Sequence, residues 1–367
     1  MAMALVLARR GMGSTRPNPP VGAVVVQEGT VVGAAFHQEA GSPHAEVLAL
    51  EQAGARARGA TLHVTLEPCN HEGRTPACVP RIVAAGIRRV NIAVRDPNPD
   101  SNRGLEALLG AGLDARVGID ERRARYLLAG FASRVERKRP RFALKMAVSL
   151  DGKIATASGD SRWISSDIAR VWVHRRRREA DAVLVGAGTV RHDDPLLTTR
   201  RVRGRNPDRI VVDAGLGVAS TAKFWKADGA RRIAVASEGA PASARQALER
   251  QGVDVWVLPE RAPGRIDLAK LAERLGEAGY TNVLLEGGGT VAGEFIEAHL
   301  VDVIWLAMSR RLLLGGGGPS WAEGLRVPSV VRALKISRSN IQPLGPDWLF
   351  TLVPEYGQWW DPETGHV

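Results

Sequence analysis

The stretch Pro43-His44-Ala45-Glu46 places an imidazole and a carboxylate two residues apart. Further along the chain, Glu67-Pro68-Cys69 supplies a thiol, and Cys78 supplies a second one after a gap of eight residues. One imidazole and two thiols give a zinc ion three protein ligands and leave its fourth position open for water. Glu46 is then placed to move protons rather than to bind the metal. The pattern indicates a zinc-dependent amine hydrolase.

The spacing of the cysteines narrows this interpretation. Nucleobase deaminases typically combine His-x-Glu with a later Pro-Cys-x-x-Cys, whereas eight residues separate Cys69 from Cys78 here. Two other interpretations stay open. The three residues could be a buried histidine and two structural thiols, or they could hold a structural zinc with His71 as its fourth ligand.

Local sequence signals predict how these residues reach one site. Ser42 is a favoured N-cap and Pro43 a favoured first helical residue, so we predict a helix from Pro43 to about Ala53. His44 and Glu46 would then lie in its first turn, facing the cleft beyond the helix end. We predict that Cys69 follows a strand over Thr61–Leu66 and that Cys78 lies near the start of another helix.

Length and composition predict a two-domain, soluble protein. The chain has 367 residues, of which 44% are hydrophobic and 24% are charged. Its apolar runs are too short to span a membrane, and its N-terminus lacks a signal-peptide pattern, so we expect a cytoplasmic protein. Both cysteines belong to the metal motif, which argues against disulfide bonds.

The net charge of +11 raises the hypothesis of a nucleic-acid partner. The excess of basic residues is spread over the whole chain and forms no basic tail. An arginine-rich solvated surface, or attraction of small anionic substrates, explains it better. We therefore expect no nucleic-acid partner. The alternative hypothesis, a nucleic-acid-binding protein, predicts binding to RNA or DNA that weakens as the salt concentration rises.

The order of predicted elements indicates two α/β domains, over residues 1–140 and 141–367. Strands and helices alternate in both, which predicts sheets covered by helices on both faces. The polar segment Arg134–Arg141 is predicted to be the linker, because Pro140 disfavours helix in the residue before it. Val301–Met308 is the last strand that the pattern predicts.

The first domain resembles the bifunctional riboflavin-biosynthesis deaminase–reductase family. The resemblance is carried by Asn18-Pro19-Pro20-Val21-Gly22, His44-Ala45-Glu46-Val47, Thr65-Leu66-Glu67-Pro68-Cys69-Asn70-His71, Gly73-Arg74-Thr75-Pro76 and Asp96-Pro97-Asn98-Pro99. It implies a cytidine-deaminase-like, three-layer α/β/α domain. It also implies that His44, Cys69 and Cys78 bind Zn²⁺ and that Glu46 is catalytic. The implied substrate contacts are Asn18, His71 and Arg74.

The resemblance continues beyond the predicted linker, through Lys145–Ala155, Ser158–Ser166, Val185–Val190 and Asp193–Thr198. It implies a dihydrofolate-reductase-like α/β domain that uses NADPH. The implied cofactor contacts are Ala147, Trp163, Thr189, Asp193, Gly288, Gly289, Thr290, Val291, Ala292, Gly293 and Glu294. The implied contacts to the phosphorylated sugar are Ser161, Arg177, Leu197, Arg200 and Glu286.

General chemistry supports part of this assignment. Arg177 and Arg200 are suited to hold a phosphate. The turn Glu286–Thr290 lies between a predicted strand and helix, where small residues let backbone amides approach a cofactor phosphate. Lys145 is a candidate proton donor.

The leading hypothesis is an enzyme with two activities and a small phosphorylated pyrimidine substrate. The first domain would use zinc-bound hydroxide to remove the 2-amino group of 2,5-diamino-6-ribosylamino-4(3H)-pyrimidinone 5′-phosphate. The second would reduce the ribosyl side chain to ribityl with NADPH. The alternative is a deaminase whose reductase-like domain is inactive or purely structural, because the sequence departs from the family after Asp302. The resemblance also implies a homo-oligomer formed through the reductase domain.

Overall fold

The chain folds into two compact units, Met1–Lys138 and Arg139–Val367. The structure is a computed structural model and describes residues 1–72, 75–101, 103–313, 317–325 and 327–356. The boundary predicted from the sequence lies two residues beyond the one observed. Each unit is built around its own sheet, so we describe the two separately.

The first unit is a five-stranded sheet with helices on both faces. Its elements are α1 (Ala2–Gly11), β1 (Gly22–Gln27), β2 (Thr30–Phe36), α2 (Ala45–Ala53), a 3₁₀ turn (Gly54–Ala57), β3 (Thr61–Leu66), α3 (Cys78–Ala84), β4 (Arg89–Val94), α4 (Gly104–Gly110), β5 (Asp114–Val117) and α5 (Glu121–Arg137). The strand order is β2-β1-β3-β4-β5. β1 is antiparallel to β2 and β3, whereas β3, β4 and β5 are parallel.

Two glycines let helices approach the two faces of this sheet closely. A Cβ atom on Gly22 would overlap the carbonyl oxygen of Ala4 in α1, and one on Gly33 would overlap that of Ala49 in α2. The α1 face also buries Leu7 and Val24. The helices α1 and α5 contact each other, as do α2 and α3. The predicted three-layer arrangement is therefore present.

The observed start of α2 corrects one prediction. The helix begins at Ala45, and His44 is its N-cap, with extended backbone angles of φ −68° and ψ 158°. Ser42 and Pro43 favour an earlier start, but the His44 side chain contacts both cysteines from the extended conformation. Glu46 still lies in the first turn, where a negative side chain suits the helix dipole.

The observed boundary between the units lies within the predicted linker Arg134–Arg141, but the first half of that segment is helical. Helix α5 continues through Arg134 to Arg137, and Lys138 ends it in the left-handed conformation, with a φ of 57°. Pro140 lies far enough beyond the helix end that it does not interrupt the last turn. The first half of the polar segment is thus the partly buried end of a helix.

The second unit contains a nine-stranded sheet. Its elements are β6 (Arg141–Val148), α6 (Asp167–Glu179), β7 (Ala182–Gly186), α7 (Ala187–Asp193), β8 (Asp208–Val212), a 3₁₀ turn (Lys223–Trp225), β9 (Arg232–Ala236), α8 (Ala242–Glu249), β10 (Asp254–Val257), β11 (Glu260–Ala262), β12 (Arg265–Ile266), α9 (Leu268–Glu277), β13 (Asn282–Glu286), α10 (Gly289–Glu297), β14 (Val301–Met308), a 3₁₀ turn (Val330–Arg332), β15 (Ile336–Leu344) and β16 (Asp347–Pro354).

The order of this sheet is β10-β9-β8-β7-β13-β6-β14-β16-β15, and β11 pairs separately with β12. All pairs from β10 to β14 are parallel, and β16 and β15 continue the sheet in antiparallel fashion. One core includes α6 and the other includes α9 and α10, so helices cover both faces. Within the described ranges, no helix combines the length and the apolar character needed to cross a bilayer.

We expect Gly33→Ala to destabilise the first unit by about 2–3 kcal/mol, because the added methyl group meets the α2 backbone rather than a flexible side chain. The matched control is Gly110→Ala, whose Cβ meets no described atom within 4 Å. Thermal unfolding followed by circular dichroism tests this. All nine tryptophans lie beyond residue 160, so their fluorescence reports on the second unit and should change less. Equal melting temperatures for the two variants would contradict the packing argument.

Candidate active sites

The predicted zinc ligands come together in the first unit. His44 lies at the N-cap of α2, Cys69 follows β3, and Cys78 is the first residue of α3. Their ligand atoms all lie within 4.8 Å of one another. His44 Nδ1 is 3.2 Å from Cys78 Sγ and 3.6 Å from Cys69 Sγ. One imidazole nitrogen and two sulfurs at these distances fit a zinc ion with one position left open.

Hydrogen bonds prepare these groups for a cation. The Cys69 pKa is lowered to about 4, chiefly because the Cys78 thiol donates to its sulfur. The same hydrogen bond and burial raise the pKa of Cys78. His44 Nε2 lies 3.1 Å from Thr75 Oγ1, so the ring nitrogen that faces away from the sulfurs also has a partner. Such outer contacts fix the orientation of a metal-binding histidine.

Glu46 is buried beside this cluster, with only 4% of its surface exposed. Burial raises the pKa of its carboxyl group to about 7, although the neighbouring His44 acts in the opposite direction. A carboxyl group in this range can both accept and release a proton near neutral pH. Its position matches the one predicted for the catalytic residue.

A cavity of about 310 Å³ opens onto the cluster. Two of the predicted substrate contacts, Asn18 and His71, line it. Asn18 Nδ2 lies 3.1 Å from His37 Nε2, and His37 Nδ1 lies 3.3 Å from the carbonyl oxygen of Pro43. His71 is not part of the metal-binding cluster among the described residues. The predicted contact Arg74 lies outside them.

Sequence reasoning did not identify Glu67 as a residue of this site. It is buried in the cavity wall, where its carboxylate accepts hydrogen bonds from the backbone amides of Asp96 (3.2 Å) and Leu105 (2.8 Å). Glu67 thereby joins the end of β3 to the segment 96–105, from which Asp96, Asn98 and Ser101 line the cavity. The available signal was the Glu-Pro-Cys motif itself.

A second cavity, of about 830 Å³, lies in the second unit at the carboxyl ends of β6, β7 and β13. The predicted site residues that line it are Ala147, Ser161, Trp163, Arg177, Thr189, Asp193, Arg200, Glu286, Gly288, Gly289 and Thr290. Those that do not line it are Val291, Ala292, Gly293, Glu294 and Leu197. Leu197 is buried in a core, with a φ of 49°.

A buried ion pair crosses the base of this cavity. Arg177 donates from Nε and Nη2 to the two carboxylate oxygens of Glu286, at 2.7 and 2.9 Å, and from Nη1 to the Thr198 carbonyl at 3.1 Å. Burial opposes ionisation of Glu286, but Arg177 holds its pKa below the ordinary value. Lys145 pairs with Glu286 in the β6–β13 register, and burial lowers its pKa.

The glycine-rich turn after β13 has two different structural functions. Thr189 Oγ1 accepts a hydrogen bond from the Gly288 amide at 2.9 Å, which links the turn to α7. Gly288 and Gly289 line the cavity. A Cβ atom on Gly289 or Gly293 would overlap a backbone oxygen of the segment 320–323. These two glycines are therefore required for close packing, whatever the cavity binds.

Trp163 presents its ring at the mouth of the cavity, with 56% of the residue exposed. The Arg170 guanidinium lies 4.3 Å from the ring centroid. Arg311 donates to the Trp163 carbonyl at 2.9 Å. Both contacts hold the indole in place, which suits a surface for an aromatic ligand.

Each of the two units matches a known protein family. Residues 1–94 match the cytidine and deoxycytidylate deaminase zinc-binding region, and residues 140–350 match the RibD C-terminal domain. The riboflavin biosynthesis protein RibD of Synechocystis sp. is 39% identical, with 96% of this chain and 94% of that protein covered. The protein of the same name from Aquifex aeolicus is 41% identical, with 95% of each covered.

A solved structure covers both units together. The diaminohydroxyphosphoribosylaminopyrimidine deaminase/5-amino-6-(5-phosphoribosylamino)uracil reductase of Thermotoga maritima is 37% identical, has a TM-score of 0.85, and covers 96% of this chain and 97% of its own. These matches define the class, a zinc-binding deaminase domain joined to a reductase domain. The predicted fold class is confirmed. The chain belongs to the RibD family of riboflavin biosynthesis proteins, and this confirms the predicted family.

We expect the purified protein to bind one zinc ion per chain, because three ligand atoms lie close together with one position open. Cys78→Ser should abolish tight binding, since it replaces a buried thiol of the cluster. His71→Ala is the matched control and should retain the metal. Metal analysis after dialysis against a weak chelator measures both. Loss of zinc from the His71 variant would instead support the structural site with His71 as fourth ligand.

Proposed function

We propose that the chain catalyses two consecutive steps of riboflavin biosynthesis, with residues 1–140 as the deaminase domain and 141–367 as the reductase domain. The deaminase step would remove the 2-amino group of 2,5-diamino-6-ribosylamino-4(3H)-pyrimidinone 5′-phosphate as ammonia. The observation that carries this proposal is the placement of Glu46, which lines the same cavity as His44 and Cys69, two of the three converging candidate zinc ligands.

In the deaminase step, His44, Cys69 and Cys78 would hold a zinc ion, which supplies activation of a water molecule for attack on the pyrimidine ring. Glu46 would carry one proton from that water to the ring nitrogen and then the remaining hydroxyl proton to the leaving amine, so that a ring carbonyl and ammonia are formed. Asn18 and His71 hold the pyrimidine, and we assign the same task to Arg74. Burial of Glu46 keeps bulk water from competing for its proton.

In the reductase step, the second cavity would hold NADPH, which would supply the hydride that converts the ribosyl group to a ribityl chain at C1′. The cavity fits such a ligand because its volume lies in the range of ligand-binding pockets and its glycine-rich turn lies between a strand and a helix. Ala147, Trp163, Thr189, Asp193 and the segment Gly288–Glu294 are the proposed cofactor contacts.

The substrate of this step would occupy the basic end of the same cavity. Arg177, Arg200 and Glu286 lie close together there and, with the cavity-lining Ser161, are the proposed contacts to the phosphorylated sugar. The contact predicted for Leu197 rests on the family resemblance alone, since this residue does not line the cavity. Lys145 lies beside Glu286 and is placed to donate the proton that accompanies reduction. Holding C1′ against the hydride donor matters more here than strong acid catalysis.

The test is one assay on the zinc-loaded full chain, supplied with the diaminopyrimidine ribosyl phosphate and NADPH. We expect ammonia release together with loss of NADPH absorbance. Glu46→Gln should lower ammonia release by about 10²–10⁴-fold, because the proton transfers are lost. It should also stop NADPH oxidation, because the second step lacks its substrate, and the deaminated intermediate should restore that oxidation.

The matched control is Glu51→Gln, on the exposed part of the same helix, which should leave both signals unchanged. Ammonia without NADPH oxidation, even with the deaminated intermediate, would support the alternative in which the second domain is purely structural. If a folded, zinc-bound protein released no ammonia and oxidised no NADPH, the proposal would be overturned.

We also propose that the chain forms a homo-oligomer through its second unit. Among the described strands, β15 pairs only with β16, so its other edge is open. Ile336 and Ile341 on this strand are exposed, and Val330 and Val331 nearby in the sequence are 92% and 88% exposed. An open edge with exposed apolar side chains favours association with a second copy.

Light scattering during size-exclusion chromatography tests the oligomer. We expect a dimer or larger assembly for the full chain and a shift towards monomer when Val330 and Val331 are both replaced by Asp, because charges oppose burial of this surface. Val6→Asp, at an exposed apolar position of the first unit, is the control and should keep the native mass. A monomeric wild-type chain at micromolar concentration would contradict the proposal.

A small-molecule function in the cytoplasm fits the remaining features. The buried Arg177 and the cavity-lining Arg200 and Arg201 place positive charge where an anionic substrate would bind. The two cysteines of the chain both lie in the metal cluster and remain unpaired, as a reducing compartment requires. We propose no nucleic-acid partner.

A further inference from the structure

His174 is a buried imidazole that the proposed mechanism does not use. It lies on α6, one turn before Arg177, and only 4% of it is exposed. The residue nevertheless lines the second cavity. Its Nδ1 atom is fully buried and has no hydrogen-bond partner among the described residues. The nitrogen that faces the cavity is therefore Nε2.

The charges around His174 keep it neutral. Burial, followed by the positive charges of Arg177 and Arg200, lowers its pKa to about 4, and Glu286 opposes this only in part. A neutral ring carries one N–H group. A buried N–H group without a partner is rarer than a buried acceptor atom without one, and Nδ1 is the buried atom. The proton therefore belongs on Nε2.

The arginines beside His174 differ in how far they are already engaged. Arg177 is bound to Glu286 and to the Thr198 carbonyl. Arg201 donates to Asp167 at 2.7 Å. Arg200 makes one long hydrogen bond, 3.4 Å, to Thr198 Oγ1, and burial with the charges of Arg177 and Arg201 lowers its pKa. At this end of the cavity, the Arg200 guanidinium forms no ion pair with a carboxylate of the described residues.

We propose that His174 binds the phosphate group of the reductase substrate, donating a neutral hydrogen bond from Nε2 beside the charged Arg200. A phosphate oxygen accepts strong hydrogen bonds from such donors. A neutral donor adds specificity without placing another cation among three arginines. The inference rests on the proposed reductase function and adds a substrate-binding residue to it.

Two polar substitutions separate this role from a structural one. The amide nitrogen of Gln reaches the position of Nε2, whereas that of Asn reaches only the position of Nδ1. We expect His174→Asn to raise the KM for the deaminated ribosyl phosphate by about 10–100-fold, as expected for loss of a hydrogen bond to a charged group, with a smaller change in kcat. His174→Gln should stay within about threefold of the wild type, well below the effect of losing such a bond.

The dephosphorylated substrate provides the control. With it, the wild type and His174→Asn should have similar kcat/KM values, and the KM for NADPH should be unchanged in both variants. Equal losses for the Asn and Gln variants would overturn the proposal, as would an equal loss with the dephosphorylated substrate. A wild type that oxidises no NADPH would instead refute the proposed reductase function.

A binding measurement keeps the inference testable if the His174→Asn variant fails to fold. The chain has eight histidines, so the imidazole ¹⁵N signals of the wild type form a small set, in which His174 is assigned by comparison with the Gln variant. We expect the neutral Nε2–H tautomer, and a shift of its signal when inorganic phosphate is added. A signal that phosphate leaves unchanged, or a protonated ring at neutral pH, would overturn the proposal.

Discussion

The first site depends on two backbone hydrogen bonds. The Cys69 carbonyl accepts from the amides of Cys78 and Val79, at 3.1 and 3.2 Å, and the Cys78 amide also lies 3.4 Å from Cys69 Sγ. These contacts bring the two sulfurs together across eight intervening residues. Each doubling of loop length adds only about 0.6 kcal/mol of closure entropy, so the longer gap carries a small cost. It also contributes Thr75 to the site, which a two-residue gap after Cys69 could not do.

The two sites solve opposite electrostatic problems. In the first, burial and the nearby Cys69 raise the Glu46 pKa, and His44 opposes them. The cluster therefore combines a thiolate, a raised carboxyl pKa and an imidazole within one small cavity, as proton transfer beside a metal requires. In the second, burial and a surplus of arginines, which Glu286 neutralises only in part, lower the pKa of His174 and leave it uncharged. That arrangement suits an anionic ligand.

Residue types predicted the chemistry better than they predicted local geometry. His44, Cys69 and Cys78 were found because few side chains bind zinc, and a close spacing of them is informative. The first residue of α2 was not predicted correctly. Contacts of His44 with two cysteines from elsewhere in the chain outweigh the helix signals of Ser42 and Pro43. The sequence therefore indicated which residues converge, but not the backbone conformation that brings them together.

The sequence also did not predict structural features that depend on residues distant along the chain. Strand β15 is mostly exposed, so its sequence has no alternating apolar pattern, and it exists as a strand through pairing with β16. In the glycine-rich turn, one pattern hides two functions. Gly288 faces the cavity, whereas Gly293 packs against Glu323, thirty residues later. A sequence pattern identifies the small residue but not the atom that requires it.

The Arg177–Glu286 pair shows why the second cavity keeps a buried charge. Replacing such a pair by apolar residues is often neutral or stabilising, so stability is a weak reason for it. Glu286 ends β13 and Arg177 lies on α6, so the pair fixes a strand end relative to a helix. Lys145 is the register partner of Glu286 on the adjacent strand β6, and His174 lies one helical turn from Arg177. The pair would therefore set the distance between Lys145, the proposed proton donor, and His174, the proposed phosphate contact. A substrate would have to match that distance to be reduced.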